Sequence, residues 1–323
     1  MSNNNNDTAV DTVVDISNGI DKVDISEDEV PEICANCGKE GGSLKSCAAC
    51  KLVKYCNRDC QIAHRSQHKK KCKKYAAELY DKELFKQPPS TEDCPICFLR
   101  MPTLNTGRRF QSCCGKRICS GCIHVVLKRE RGGGVTFCPF CRVPTPHTDK
   151  EIMKVVYKRV DAGDAEAIRN LGGNYYDGMY GLPQNHTKGL QLWHRAAELG
   201  DAISYHNIGN AYHNGKGVET DRNKSIYYYE QAAMKGNATA RHNLGVTEGL
   251  AGNMDRALKH YMIAARSGGG KSLQNIQQLY SYGYVTKDEY TKALRVYQEY
   301  LVEIRSPQRD EAAAFDDAFR YYE

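Results

Sequence analysis

The sequence predicts small metal-stabilised domains in its first half and an all-α solenoid of paired helices in its second. Three observations point there. All 15 cysteines of the 323-residue chain lie between Cys34 and Cys141, many as C-x-x-C pairs. The motifs AAELG (196–200), AAMKG (232–236) and AARSG (264–268) recur at intervals of 36 and 32 residues. No apolar run approaches the length of a membrane span, so no membrane partner is expected.

A disulfide framework would follow a secretory signal, and MSNNNNDTAV has neither a basic start nor an apolar core. Clustered C-x-x-C pairs without such a signal point to zinc in a reducing compartment, cytoplasmic or nuclear. An odd number of cysteines also cannot pair completely. Charge is segregated along the chain. Residues 1–32 carry nine acidic groups and one lysine, a net of −8. Residues 33–150 carry 23 basic and nine acidic groups, a net of +14, and residues 151–323 balance. The acidic start has few large apolar residues and an asparagine run, so a disordered tail is expected over 1–32.

From Cys34 the candidate ligands are Cys34, Cys37, Cys47, Cys50, Cys56, Cys60, His68 and Cys72. Zinc takes four tetrahedral sulfur or nitrogen ligands, so eight candidates fill two sites. Cys56 with Cys60, and His68 with Cys72, are i, i+4 pairs that share a helix face. KYCNRDCQIAH followed by HKKKC resembles the latter half of a MYND finger, here spanning 33–73. The interleaved plan of that family implies one zinc at Cys34, Cys37, Cys56 and Cys60 and a second at Cys47, Cys50, His68 and Cys72. His64 is the rival of His68, but only His68 has the family spacing to Cys72. MYND fingers mostly bind short proline-containing peptides, and Gln61 is the groove residue carried over. Arg65 stands where peptide-binding members often have tryptophan, which removes an apolar wall. Lysines 69, 70, 71, 73 and 74 read as a solvated helix face. A linker follows over 74–93, with a short helix suggested by Leu79, Tyr80 and Leu84 and broken by QPPSTED.

The second block offers Cys94 and Cys97 in DCPICF, Cys113, Cys114, Cys119 and Cys122 in QSCCGKRICSGC, and Cys138 and Cys141 in CPFCR. The run 94–142 resembles a RING finger with one departure: Lys116 stands where a ligating histidine is usual. The cross-braced plan of that family implies zinc one at Cys94, Cys97, Cys119 and Cys122. Zinc two would take Cys138, Cys141 and two ligands from the middle. The first block leaves eight cysteines, so the count closes at four zinc ions if Cys113 and Cys114 both bind. Gly115 would help the backbone bend there. The alternative is Cys114 alone, with His124 or water in the fourth position. Neither block is long enough to bury much core, so metal binding must supply folding free energy, on the order of 10 kcal/mol per site. A full ligand count leaves no open position for catalysis, and zinc is expected to be structural.

A linker helix is expected over 143–162, after which cysteine vanishes. Six places before each repeated alanine pair stand Leu190, Ile226 and Leu258, and three places before stand Trp193, Tyr229 and Tyr261. Leu294 and Tyr297 extend both series. RNLG, HNIG, HNLG and QNIQ place Leu171, Ile208, Leu244 and Ile276 on a partner helix. A single pair cannot bury its apolar face, whereas stacked pairs can. The pattern resembles Sel1-type repeats, relatives of the tetratricopeptide repeat, over 163–304, with the fourth unit as a cap. Residues 305–323 suggest a final helix. Most tyrosines fall at packing positions. The triplets at Asn185 and Asn237 match a glycosylation acceptor but lack a secretory context.

Two functions compete. The RING resemblance implies a ubiquitin ligase that docks a ubiquitin-conjugating enzyme through Ile96 and Pro139, with Arg142 contacting both enzyme and ubiquitin. No covalent catalytic residue is expected, and the other modules would recruit proteins or peptides. The alternative is an adaptor with purely structural zinc. Nucleic-acid binding by the basic 33–150 region is a distant third, because aromatic residues there are sparse and scattered.

Overall fold

The computed structural model describes residues 32–88, 91–129 and 136–322. The tail expected over 1–32 lies outside the described residues except for Glu32. The chain forms two compact units, one ending at Leu79 and one spanning Tyr80–Glu323.

In the first unit β1 (Lys45–Ser46) and β2 (Lys54–Tyr55) form an antiparallel hairpin, Lys45 opposite Tyr55. Helix α1 (Arg58–Leu84) follows and extends into the second unit. The Asn57 side chain caps it, accepting from the Cys60 N–H at 2.8 Å. Cys34, Cys47, Cys50 and Tyr55 are the fully buried apolar residues here. So small a core cannot hold a fold alone. The helix expected within 74–93 is the continuation of α1, and its last turn is anchored in the second unit. Leu84 is buried among Tyr229, Ala232, Ala233, Ala240 and Leu244. Buried Arg241 donates to the carbonyls of Leu84 and Ala233, so a cation satisfies the end of the helix.

The second unit opens with strands β3 (Arg108–Gln111) and β4 (Lys116–Cys119), paired antiparallel with Gln111 opposite Lys116, then α2 (Ser120–Arg129). Among the described residues nine helices follow: α3 (Asp149–Asp161), α4 (Ala165–Asp177), α5 (His186–Glu198), α6 (Ala202–Asn214), α7 (Arg222–Met234), α8 (Ala238–Leu250), α9 (Met254–Arg266), α10 (Gly270–Ser281) and α11 (Lys287–Ile304). Helices α4 with α5, α6 with α7 and α8 with α9 make the tightest pairs.

One contact recurs in each pair. Gly172 faces Trp193, Gly209 faces Tyr229 and Gly245 faces Tyr261; a Cβ at the glycine would stand 2.7, 2.6 and 2.5 Å from the ring. The glycine admits the ring, and the ring fills what would otherwise be a gap between helices. The alanine pairs 196/197, 232/233 and 264/265 are all buried beside these rings. The glycines that close the repeated motifs, Gly200, Gly236 and Gly268, have φ of 93°, 89° and 88°, which suits no other residue well. Helix starts are capped by Asp164, Asn185, Asp201, Asp221 and Asn237. Two of these are the triplet asparagines, so capping explains them. The fourth pair, α10 and α11, buries Ile276 and Tyr297 but leaves Leu294 38% exposed, as a terminal unit does.

The C-terminal segment turns back. Helix α12 (Pro307–Phe315) packs on α2 and ends in a short 3-10 turn, Asp317–Phe319. Ala312 and Phe319 share one core with Cys94, Met101, Ile118, Cys119, Ile123 and Cys138. The end of the chain thus completes the second cysteine block.

Candidate metal centres and docking surface

Among the described residues four sets of ligand atoms converge: Cys34, Cys37, Cys56 and Cys60; Cys47, Cys50, His68 and Cys72; Cys94, Cys97, Cys119 and Cys122; Cys113, Cys114, Cys138 and Cys141. Within each set the ligand atoms lie within 4.8 Å of one another. Sulfur pairs sit at 3.7 Å (Cys37–Cys56, Cys47–Cys72), 3.9 Å (Cys94–Cys122), 3.8 Å (Cys97–Cys119), 3.9 Å (Cys114–Cys138) and 3.4 Å (Cys113–Cys141). A tetrahedron with metal–sulfur bonds of about 2.3 Å has edges of about 3.8 Å. A disulfide would need about 2.05 Å, and all 15 cysteines are free. The donors therefore fit four zinc ions.

Four of the five C-x-x-C pairs share one backbone design, the exception being Cys119–Cys122, which runs from β4 into α2. The residue after the second cysteine of a C-x-x-C pair turns left-handed: Gly38 at φ 72°, Lys51 at 60°, Phe98 at 58° and Arg142 at 60°. Each donates its N–H to the carbonyl of the first cysteine, at 2.9, 3.0, 2.9 and 3.0 Å. The tight turn aims both sulfurs at one point. Three of these four positions hold a side chain despite the cost of that conformation.

Electrostatics favours a cation at each centre. Hydrogen bonds from Cys119, Cys122 and Cys97 hold the Cys94 thiol far below its ordinary value, while Cys122 is pushed far above its own by Cys119, Cys94 and Cys97. Burial and Cys47 push Cys72 up to about 12. Three or four sulfurs this close cannot all ionise without a positive charge among them, and bound zinc would supply it.

The structure separates the alternatives left open by spacing. His68 Nε2 lies 3.2 Å from Cys50 Sγ, whereas His64 stacks on His68 at 5.7 Å and meets Tyr55 Oη through Nδ1 at 3.1 Å. Cys113 and Cys114 both point into the fourth set. Gly115, at φ 71°, closes the turn that lets neighbours do so, its N–H donating to the Gln111 carbonyl at 2.8 Å. Lys116 is exposed and begins β4. His124 is buried against Phe315 and Phe319, outside every ligand set.

Residues 34–72 match the family model of the MYND finger, and residues 165–201, 202–237 and 238–269 match the Sel1 repeat. The first block is a MYND finger. The three Sel1 repeats coincide with α4–α5, α6–α7 and α8–α9. The E3 ubiquitin-protein ligase DA2 of Arabidopsis thaliana is 45% identical over 53 residues, 16% of this chain and 12% of that protein. The E3 ubiquitin-protein ligase RNF182 of Ailuropoda melanoleuca is 31% identical over 110 residues, 33% of this chain and 40% of that protein. The chain thus spans less than half the length of these curated relatives. Among solved structures, a Sel1 repeat protein from Oxalobacter formigenes is 25% identical, covering 60% of this chain and 72% of that one at a TM-score of 0.41.

In the MYND finger, Gln61 and Arg65 are exposed on α1, and the neighbouring Ile62 is 59% exposed. In the RING-like block Ile96 is 36% exposed, Pro139 is half-buried and Arg142 is exposed. Sequence reading missed Phe98, Phe137 and Phe140, large exposed side chains that each adjoin a ligand cysteine. An aromatic beside a C-x-x-C cysteine, with no core of its own to fill, was the available signal. One face of α2 is already occupied. Gly121 abuts the backbone of α12 at Arg309, His124 packs on Phe315, and Lys128 pairs with Glu311. Val126 is half-buried and Leu127 is 36% exposed.

The Sel1 repeats indicate protein–protein interaction, and the four ligand sets could each hold a zinc ion. No described helix is long and apolar enough to cross a membrane.

Proposed function

We propose that the chain is a RING-type ubiquitin ligase in a reducing compartment. The RING-like block docks a ubiquitin-conjugating enzyme, and the MYND finger and Sel1 repeats recruit the protein to be modified. The observation that carries this reading is the exposure of apolar side chains on metal-closed loops: Ile96, Phe98 and Phe140 face solvent beside ligand cysteines. A four-ligand centre has no open coordination position, so its loops serve to present a surface rather than to activate water. The names of the partial relatives support the same reading.

Three parts then have roles. Ile96 and Pro139 present apolar contact from the two zinc loops. Arg142 supplies a cation beside the last ligand, Cys141, to hold thioester-linked ubiquitin against the enzyme. Zinc supplies only the fold of the loops, and the transfer is between the conjugating enzyme's thioester and an attacking lysine.

Discharge of ubiquitin to free lysine, measured over a panel of conjugating enzymes with full-length protein, tests this. Wild type should accelerate at least one. Ile96→Ala should weaken docking by about 2 kcal/mol, roughly thirtyfold in affinity. Arg142→Ala should slow discharge more than it weakens docking, since the cation acts on the linked ubiquitin. Both variants should retain zinc. If no enzyme is stimulated, or both variants discharge as wild type does, the chain is an adaptor with structural zinc.

A further inference from the structure

Beside the RING-like hairpin lies an open cleft of about 360 Å³ that the ligase reading does not use. Its walls come from β3 and β4 on one side and α4 of the first Sel1 repeat, with Ile203 of the second, on the other, all within the second unit. Four arginines line it: Arg108, Arg109, Arg117 and Arg169. Pairing in the hairpin sets Phe110 opposite Arg117, and Arg108 lies two residues from Phe110, so Arg108 and Arg117 project from the same face.

The carboxylates do not match this charge. Glu166 accepts from Arg117 Nε at 2.6 Å and from Arg169 at 2.5 Å. Asp201 lies 3.3 Å from Arg169 Nε, which still lacks an aligned hydrogen bond. Arg109 stacks over the Phe319 ring at 4.7 Å. The Arg108 guanidinium has no hydrogen bond or ion pair among the described residues, although the residue is half-buried. Burial, and then Arg117, push its guanidinium down to about 10, low for arginine yet still charged at neutral pH. Arg117 and Arg169 thus share two carboxylates, exposed Arg109 lies on the opposite face of β3, and Arg108 stands in a partly dry cleft beside its like. Such a charge is costly unless a counter-charge arrives.

We propose that this cleft binds a phosphoryl dianion, free or carried on a partner, with Arg108 as its principal contact and Arg117 and Arg169 as flanking donors. Arg108 is the unanswered charge, and Arg117 and Arg169 flank it. Guanidinium forks present paired N–H donors to phosphoryl oxygens, and the Asn170 amide adds a neutral donor. The volume leaves room for part of the carrier. Because the walls belong to the hairpin and to α4, the bound anion would cross-link the RING-like block to the first repeat. The proposal is independent of ligase activity.

Calorimetry and thermal denaturation of the zinc-loaded full chain decide it, with inorganic phosphate, a phosphoserine peptide, the same peptide unphosphorylated and acetate compared at one ionic strength. Phosphate and the phosphoserine peptide should bind saturably and raise the midpoint, whereas acetate and the unphosphorylated peptide should not. Tighter binding of the phosphopeptide than of phosphate identifies a phosphorylated protein as the source, and the reverse identifies a free phosphate compound. Arg108→Gln should weaken phosphate at least ~10-fold, as loss of a charge-assisted contact does. Without phosphate, the same variant should melt no lower than wild type, because no partner is lost and like-charge repulsion is relieved. Arg108→Lys, which keeps charge and stem but loses the fork, should bind with intermediate affinity. Equal binding by wild type and Arg108→Gln, an absence of saturation, or a lower midpoint for Arg108→Gln in phosphate-free buffer would overturn the site.

Discussion

Removing zinc with a chelator should collapse both cysteine blocks and leave the repeat helices standing. Each structural zinc contributes on the order of 10 kcal/mol at neutral pH, more than either small core supplies. Helix α1 carries Cys60, His68 and Cys72, so its first half loses its anchor. Helices α2 and α12 share their core with Cys94, Cys119 and Cys138, and should melt together. Helices α4–α9 have no metal ligand among their residues and bury their own alanine pairs and aromatic rings. Circular dichroism should therefore show partial loss of helix on chelation, followed by an ordinary cooperative thermal transition. Loss of nearly all helical signal at the first step would mean that the repeats depend on the metal centres.

Arg309→Leu should be the most damaging single substitution away from the ligands. Arg309 is fully buried on α12. It donates to the carbonyls of Arg100 at 2.8 Å and Ile304 at 2.6 Å, and it reaches the Leu99 carbonyl at 3.4 Å and Cys97 Sγ at 3.8 Å. A zinc ion held by four thiolates carries two net negative charges, and a buried guanidinium against one of the sulfurs offsets part of that. Leucine would fill the space but strand several buried acceptors, a cost of about 3 kcal/mol or more. The midpoint of the second unit should fall, and a chromogenic chelator should extract zinc faster from the variant. Unchanged stability and unchanged zinc release would show that the C-terminal segment rests on the RING-like block without supporting it.

This dependence illustrates what sequence could and could not convey. The ligand sets were legible because a C-x-x-C turn is local: two thiolates three residues apart can reach one metal wherever the chain goes next. The repeats were legible for a similar reason, since an alanine pair and an aromatic at fixed spacing describe a packing surface within one helix. Arg309 carried no such mark. Three of its four partners lie about two hundred residues away in sequence, and RDEAAAF reads only as part of a final helix. Helix α1 was hidden differently. Its middle, HKKKCKKYAAEL, has good helix formers but no continuous apolar stripe, so periodicity suggested two pieces where zinc ligands and the buried Leu84 hold one helix of 27 residues. Phe98, Lys51 and Arg142 at positive φ were also unreadable, because those side chains ordinarily avoid that conformation and only the zinc turn requires it.

The adjacent pair Cys113–Cys114 is where the account is most exposed, since the RING-like block is a complete zinc domain only if both bind. Native mass spectrometry of zinc-loaded full-length protein counts the metals directly. The account predicts four zinc ions per chain, falling to three or to a readily lost fourth in Cys113→Ser and equally in Cys114→Ser. A wild-type chain saturating at three, or Cys113→Ser holding four as firmly as wild type, would contradict it.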